Sequence, residues 1–268
     1  GSGKTHLLYL ITSFAILPSR FHGTEIGGKN AAIVVLDPLS HFDVERLAQI
    51  TIHHIICKLN AAGRWQEGDE ATQKEIKELL EMSLKHIHIF RPQSHVSLVA
   101  TLEELKEYLF NDKAHHSIHR PIHSIILDPA DAFYWPLRAS SLPSTSSKPS
   151  PSVTAEYTKL ATHLIRLSRI LSCAILLTTS SISPAQPFRS IIPPSFSDVR
   201  LALRRVRISR FSPALSVEEA ERERDKMGEV VSRGRFECWK VGQGRHGEKV
   251  EFRITGWGVN MEQDTDGG

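Results

Sequence analysis

The chain opens Gly1-Ser2-Gly3-Lys4-Thr5, and Gly3-Lys4-Thr5 fills the last three positions of the phosphate-binding pattern G-x-x-x-x-G-K-[ST]. Each residue type there has a physical reason. Glycine lets backbone N–H groups turn toward phosphate oxygens, Lys4 can reach β- and γ-phosphates, and the Thr5 hydroxyl can ligate Mg²⁺. The run His6 to Leu17 is apolar enough to be the helix whose positive N-terminus faces the phosphates. Such a loop joins a strand to a helix, which restricts the fold to an α/β architecture. The first glycine of the pattern and the strand ahead of it are missing from this sequence, so the core is expected to be N-terminally incomplete. Five residues can match by chance, and the weight of the reading rests on the segments after Leu17.

Those segments alternate between strand and helix patterns. Ala31 to Asp37 is a continuous apolar run ending in an acid, the pattern of a buried parallel strand. Asp43 to Leu59 has helical spacing, with Val44, Leu47, Ile50 and Ile55 able to share a face. Glu67 to Lys85 predicts a further helix, His86 to Phe90 a short strand, and Ser97 to Phe110 a helix striped by Leu98, Leu102, Leu105 and Leu109. Pro121 to Asp128 is a second strand ending in an acid, Thr154 to Leu171 a helix, and Ala174 to Thr179 a third buried strand. This order predicts a mostly parallel sheet with helices on both faces. Arg200 to Arg210, Arg235 to Val241 and Val250 to Val259 read as antiparallel strands completing it, the last two a hairpin around a Gly-rich turn. At 268 residues and 40% hydrophobic, the chain suits a single core over 1–260. That core carries a Ser/Pro-rich loop at 139–152, a Pro/Ser loop at 181–197 and a charged insertion at 211–234, before a tail at 261–268.

Composition excludes some classes. No apolar stretch is long enough to span a membrane, and no basic-then-apolar leader is present, so neither membrane insertion nor secretion is expected. Three scattered cysteines without a C-x-x-C pair suit a reducing compartment. A net charge of +3 permits nucleic-acid binding without arguing for it.

Asp128 is the second anchor for chemistry. An apolar strand ending in Asp is how phosphate-loop proteins place a carboxylate near Mg²⁺; the plainer alternative is an Asp that starts a turn with Pro129. Arg200, Arg204, Arg205, Arg207 and Arg210 crowd one segment, but strand alternation puts Arg205 and Arg207 on one face and Arg204 and Arg210 on the other. The segment can contact phosphates or be an edge strand blunted by charge. In the 181–197 loop, Phe188 can stack on a base and Arg189 meet a phosphate, unless that loop is only a connector. His115, His116, His119 and His123 could align three imidazoles on one metal in a helix, but Pro121 interrupts it, which disfavours a metal site.

With these residues in view, the chain resembles the RecA-type eukaryotic recombinase paralogues. The likeness is carried by Leu36-Asp37-Pro38-Leu39-Ser40-His41-Phe42-Asp43-Val44-Glu45-Arg46-Leu47 and by Ile126-Leu127-Asp128 running on to Ala132-Phe133-Tyr134-Trp135. Leu176-Leu177-Thr178-Thr179 adds a third stretch. The resemblance implies a RecA-like P-loop NTPase fold with ATP and Mg²⁺ as possible ligands. Gly1, Ser2, Gly3, Lys4, Thr5 and His6 would lie at the nucleotide, Thr5 and Asp128 at the metal, and Phe188, Arg189, Arg204 and Arg205 at DNA. It also implies a nuclear adaptor in double-strand-break repair by homologous recombination. Such an adaptor works with other recombinase paralogues and helps the main recombinase on single-stranded or branched DNA.

Two departures bear on catalysis. Active recombinases carry a glutamate two residues after the strand-terminal Asp, where this chain has Leu39, and a glutamine where it has Ser180. Without groups to orient water and sense the γ-phosphate, hydrolysis is expected to be weak or absent. The alternatives are an active DNA-stimulated RecA-type ATPase and a P-loop kinase or nucleotidase unconnected with DNA.

Overall fold

The computed structural model describes residues 2–66, 68–140, 152–180, 191–193, 196, 199–206, 234–241 and 249–261. The chain divides into two compact units, one comprising Ile11–Asp198 and the other Gly1–Leu10 with Val199–Gly268.

The larger unit is built on a parallel four-stranded sheet in the order β4-β3-β5-β6. Its strands are β3 (Ala32–Leu36), β4 (Ile87–Phe90), β5 (Ile122–Leu127) and β6 (Ala174–Leu177). Every residue of β3 is buried, as expected for a strand with neighbours on both edges and helices on both faces. Before the sheet comes a small antiparallel pair, β1 (Arg20–Phe21) and β2 (Thr24–Glu25).

Connection direction decides which helix covers which face. From β3 the chain passes through α2 (Val44–Ala61) and α3 (Glu70–Leu84) to β4 on one side. It then crosses through α4 (His95–Leu109) to β5 on the other side of β3, and through α5 (Tyr134–Ser140) and α6 (Val153–Leu171) onward to β6. Right-handed crossovers running in opposite directions must lie on opposite faces. Accordingly α4 and α6 pack Leu98, Leu102, Leu105, Leu109, Leu160 and Leu164 against Val34, Leu36, Ile125 and Leu127. Ile55 and Leu59 of α2 and Ile76 of α3 instead cluster with Leu17 and Ile26.

Helix boundaries follow their caps. Asp43 accepts from the Glu45 and Arg46 amides, and Asp69 from those of Ala71 and Thr72. Ser94 and Ser97 form a reciprocal capping box that starts α4 at His95, two residues before the expected boundary. Between helices, Thr51 donates its hydroxyl to the Leu47 carbonyl at 2.8 Å and shares a buried 2.7 Å hydrogen bond with the Ser13 hydroxyl.

The smaller unit carries an antiparallel sheet in the order β10-β9-β8-β7, from β7 (Leu201–Arg205), β8 (Arg235–Lys240), β9 (Lys249–Thr255) and β10 (Gly258–Asn260). Two expectations change here. The antiparallel strands form a sheet of their own among the described residues, and the segment expected as one strand to Val259 folds back at Gly256-Trp257 into two. The first helix, α1, runs Lys4–Ile16. The expected loop at 139–152 is partly regular, because α5 extends to Ser140 and Ser152 caps α6. Of the other expected segments, the charged insertion lies outside the described residues except for Gly234, and the tail except for Met261.

Val44 departs from the helical stripe expected of it. It is the first residue of α2 and is exposed, whereas Leu47, Ile50 and Ile55 are buried.

Candidate functional site

In a doubly wound parallel sheet, ligands are taken at the carboxyl ends of the strands where crossovers diverge. Here the divergence lies between β3 and β5, whose carboxyl ends carry Asp37 and Asp128. The two acids do different things.

Asp37 is almost wholly buried and spends its carboxylate on the turn after β3. Its oxygens accept from the backbone N–H of His41 at 2.9 Å and of Phe42 at 3.0 Å, with Arg91 Nε at 3.6 Å. A carboxylate satisfied by backbone donors is a structural clasp. That clasp shapes the loop containing Leu39, whose side chain is largely exposed and has no atom with which to orient water.

Asp128 comes directly after β5 and is 8% exposed. Thr178, just past the end of β6, donates its hydroxyl to Asp128 Oδ1. Two further bonds tie the same ends together. The Ala130 amide donates to the Thr178 carbonyl at 2.8 Å, and the Ser180 amide donates to Asp131 Oδ2 at 2.9 Å. Sequence reasoning singled out Asp128 and Ser180 but passed over Asp131 and the partnership with Thr178. The available signal was a second acid three residues after the first, in Asp128-Pro129-Ala130-Asp131.

Behind this clasp lie polar atoms that the described residues do not satisfy. Tyr157 Oη and Asp131 Oδ1 are buried without a hydrogen-bond partner among them, as is His95 Nε2. Burial, and then the nearby Asp131 carboxylate, push the Tyr157 phenol well above its ordinary pKa. Phe133 joins the core while Trp135 is exposed, with the Arg138 guanidinium 5.5 Å from its ring centroid.

In the segment that matches the phosphate-loop pattern, Gly1 lies outside the described residues. Gly3 adopts φ +83°, a left-handed conformation that suits glycine. Lys4 and Thr5 open α1, and the Lys4 ammonium donates to Ser2 Oγ at 2.9 Å. His6 meets Tyr9 edge-on at 5.9 Å. A helix N-terminus with an adjoining ammonium and hydroxyl is chemically suited to phosphate. Among the described residues no three His, Cys, Asp or Glu side chains could hold a metal ion. Mg²⁺ bound with a nucleotide needs only one or two protein oxygens beside the phosphates and water, so a hydroxyl and a carboxylate are the right donor types.

Of the DNA-contact candidates, Phe188 and Arg189 lie outside the described residues. Arg204 and Arg205 point to opposite faces of β7. Arg204 pairs with Glu237 and lies 5.0 Å from the Trp239 ring centroid, whereas Arg205 lies 5.7 Å from that of Phe236.

The histidines form a hydrogen-bonded group. His88 contacts Tyr108 Oη through Nδ1 and Ser117 Oγ through Nε2, each at 3.0 Å, while His86 Nδ1 reaches the same Ser117 oxygen at 2.9 Å. His115 packs edge-on against His88 with ring centroids 4.7 Å apart. Burial, reinforced at His86 by Arg120, Lys85 and neighbouring histidines and at His88 by His115 and His86, lowers the pKa of both to about 4.

No protein-family model matches the chain. It is 26% identical over 196 residues to the DNA repair protein XRCC2 homolog of Arabidopsis thaliana, in an alignment covering 68% of this chain and 52% of that protein. The chain therefore spans about half the length of the curated relative it matches. No helix among the described residues is long and apolar enough to cross a membrane.

Proposed function

We propose that this chain is a RecA-like recombinase paralogue of DNA repair by homologous recombination, acting in the nucleus as an adaptor among other paralogues. The observation that carries the reading is the similarity to the plant XRCC2 homolog. The parallel α/β sheet is compatible with it, with Asp128 at a strand end where ligands are taken. The single-core organisation over 1–260 belongs to the same proposal. Single-stranded or branched DNA is the substrate on which the complex would help the main recombinase.

ATP and Mg²⁺ are the ligands that the phosphate-loop segment would take. Lys4 and Thr5 are assigned to the phosphates and Thr5 also to Mg²⁺, which when bound would neutralise charge on the phosphates; in the Ile11–Asp198 unit, Asp128 is a carboxylate of the type that ligates Mg²⁺. The chain's own residues favour binding over turnover. Leu39 cannot accept a proton from water, Asp37 is committed to its backbone clasp, and Ser180 has a shorter side chain than the glutamine expected of an active enzyme.

Two measurements test the reading. Affinity capture of the tagged chain from cells treated to break DNA should recover recombinase paralogues, and their absence would overturn the adaptor role. Phosphate release with ATP, Mg²⁺ and single-stranded DNA should stay below about 0.1 per second, an upper bound well under ordinary enzymatic turnover. Faster release would indicate a DNA-stimulated ATPase.

A further inference from the structure

The antiparallel sheet has two chemically different faces, set by which residues pair across it. One face stacks Phe236 on Phe252, with centroids 5.6 Å apart and planes 18° from parallel, and adds Leu203, Cys238, Val250 and Ile254. Gly3 packs here: a Cβ on it would come within 2.9 Å of Ile254 and 3.3 Å of Phe236. On the opposite face, cross-strand pairing aligns Trp239 with Lys249, Arg204 with Glu237 and Glu251, and Arg235 with Arg253.

The second face is organised around one indole. The Arg204 guanidinium lies 5.0 Å from the Trp239 ring centroid and the Lys249 ammonium 6.0 Å from it. Beneath them Glu237, 7% exposed, accepts from Arg204 Nε and, at 3.1 Å, from Lys249 Nζ. A nearly buried acid therefore fixes two cations at the same aromatic ring, so their ordering is already met in the folded protein. The cations still reach solvent, with side-chain exposures of 39% for Arg204 and 52% for Lys249. Arg235 pairs with the more exposed Glu251, and Arg253 adds a fourth cation to a face with two acids.

We propose that this face binds single-stranded nucleic acid, with phosphates on Arg204, Lys249, Arg235 and Arg253 and a base stacked at Trp239. Cationic tracks beside aromatic side chains are the physical recipe for such binding, because every base has a stacking face and every nucleotide a phosphate. An acidic peptide would meet the cations but has no base to stack, and a duplex would keep its bases stacked on one another. The proposal extends the DNA-repair reading by naming a contact surface, and its test is independent of paralogue capture and of ATP.

The probe is a fluorescein-labelled thirty-nucleotide oligothymidylate, titrated with the whole chain in 50 mM and 200 mM salt and read by anisotropy. The double variant Lys249→Gln/Arg253→Gln should weaken binding at least about tenfold and reduce the salt slope by about 1.4, as expected for two lost phosphate contacts on a single strand. Trp239→Leu should weaken it between about fivefold and a hundredfold with the salt slope unchanged. Lys240→Gln, which removes one cation from the opposite face, should leave binding as it was. Because a variant can fail to fold, the wild-type chain is also photocrosslinked to a bromodeoxyuridine-substituted strand, and the adducts should map to β8 and β9. Unaltered binding in folded variants, adducts confined to other segments, no binding at 50 mM salt, or stronger binding of a duplex or an acidic peptide would each overturn the proposal.

Discussion

The hydroxyl of Thr178 donates to the carboxylate of Asp128 across the adjoining ends of β6 and β5. Asp128 is nearly buried, so this donor satisfies an oxygen that water reaches poorly. Thr178→Val removes the donor while keeping the shape, and should cost about 1–3 kcal/mol. Thr178→Ser retains the hydroxyl and should recover most of that loss. Urea denaturation of the three proteins measures the difference; equal midpoints for Val and Thr would show that the bond contributes nothing.

The His86–Ser117–His88 group should make stability depend on pH. In the unfolded chain these imidazoles titrate near 6.5, and in the fold near 4. Between those values the unfolded state holds more protons, so stability rises with pH through the window. It is fully present above pH 6.5 and is lost as pH falls toward 4. Melting at pH 7.5, 6 and 5 should show the decline, with about 2–4 °C lost for each kcal/mol in a protein of this size class. His88→Gln should make the decline shallower by removing the share of His88 and leaving that of His86.

Tyr157 offers the opposite kind of test. Its hydroxyl is buried with no partner among the described residues, so Tyr157→Phe removes a desolvated polar atom without opening a cavity. Stability should be unchanged or higher by up to about 2 kcal/mol. A loss greater than about 1 kcal/mol in chemical denaturation would mean that the hydroxyl is bonded in solution.

Leu102 sits where α4 meets the sheet core at 1% exposure. Leu102→Ala should cost about 2–5 kcal/mol through lost burial and the cavity left behind. Asp43→Ala, removing the N-cap of α2, should cost about 1 kcal/mol. Calorimetry or urea melts should preserve that ranking.

The strands β3 and β5 were legible because continuous apolar runs ending in Asp have few other uses, and the leucine stripe of α4 announced the face it buries; β6, expected to be buried as well, is an edge strand with Ala174 exposed and Ile175, Leu176 and Leu177 half-buried. Local features without the usual signals escaped. The β1–β2 turn is His22-Gly23, both at positive φ, rather than the Asn-Gly that marks such turns. The α5 helix contains Pro136, which reads as a breaker but sits in the first turn, where a missing N–H costs nothing. Asp131 and Thr178 escaped for a different reason. Their roles depend on β5 lying beside β6, and strand adjacency is written in no single segment.

Gly3 carries a consequence for genetics. Its positive φ and its closeness to Ile254 and Phe236 mean that any side chain there strains the backbone and crowds the apolar face of the antiparallel sheet. On the proposed function, a Gly3 allele with a repair defect would therefore confound loss of the proposed nucleotide binding with lost protein abundance. Lys4, whose ammonium donates to the neighbouring Ser2 Oγ, is the position at which those two phenotypes can be separated.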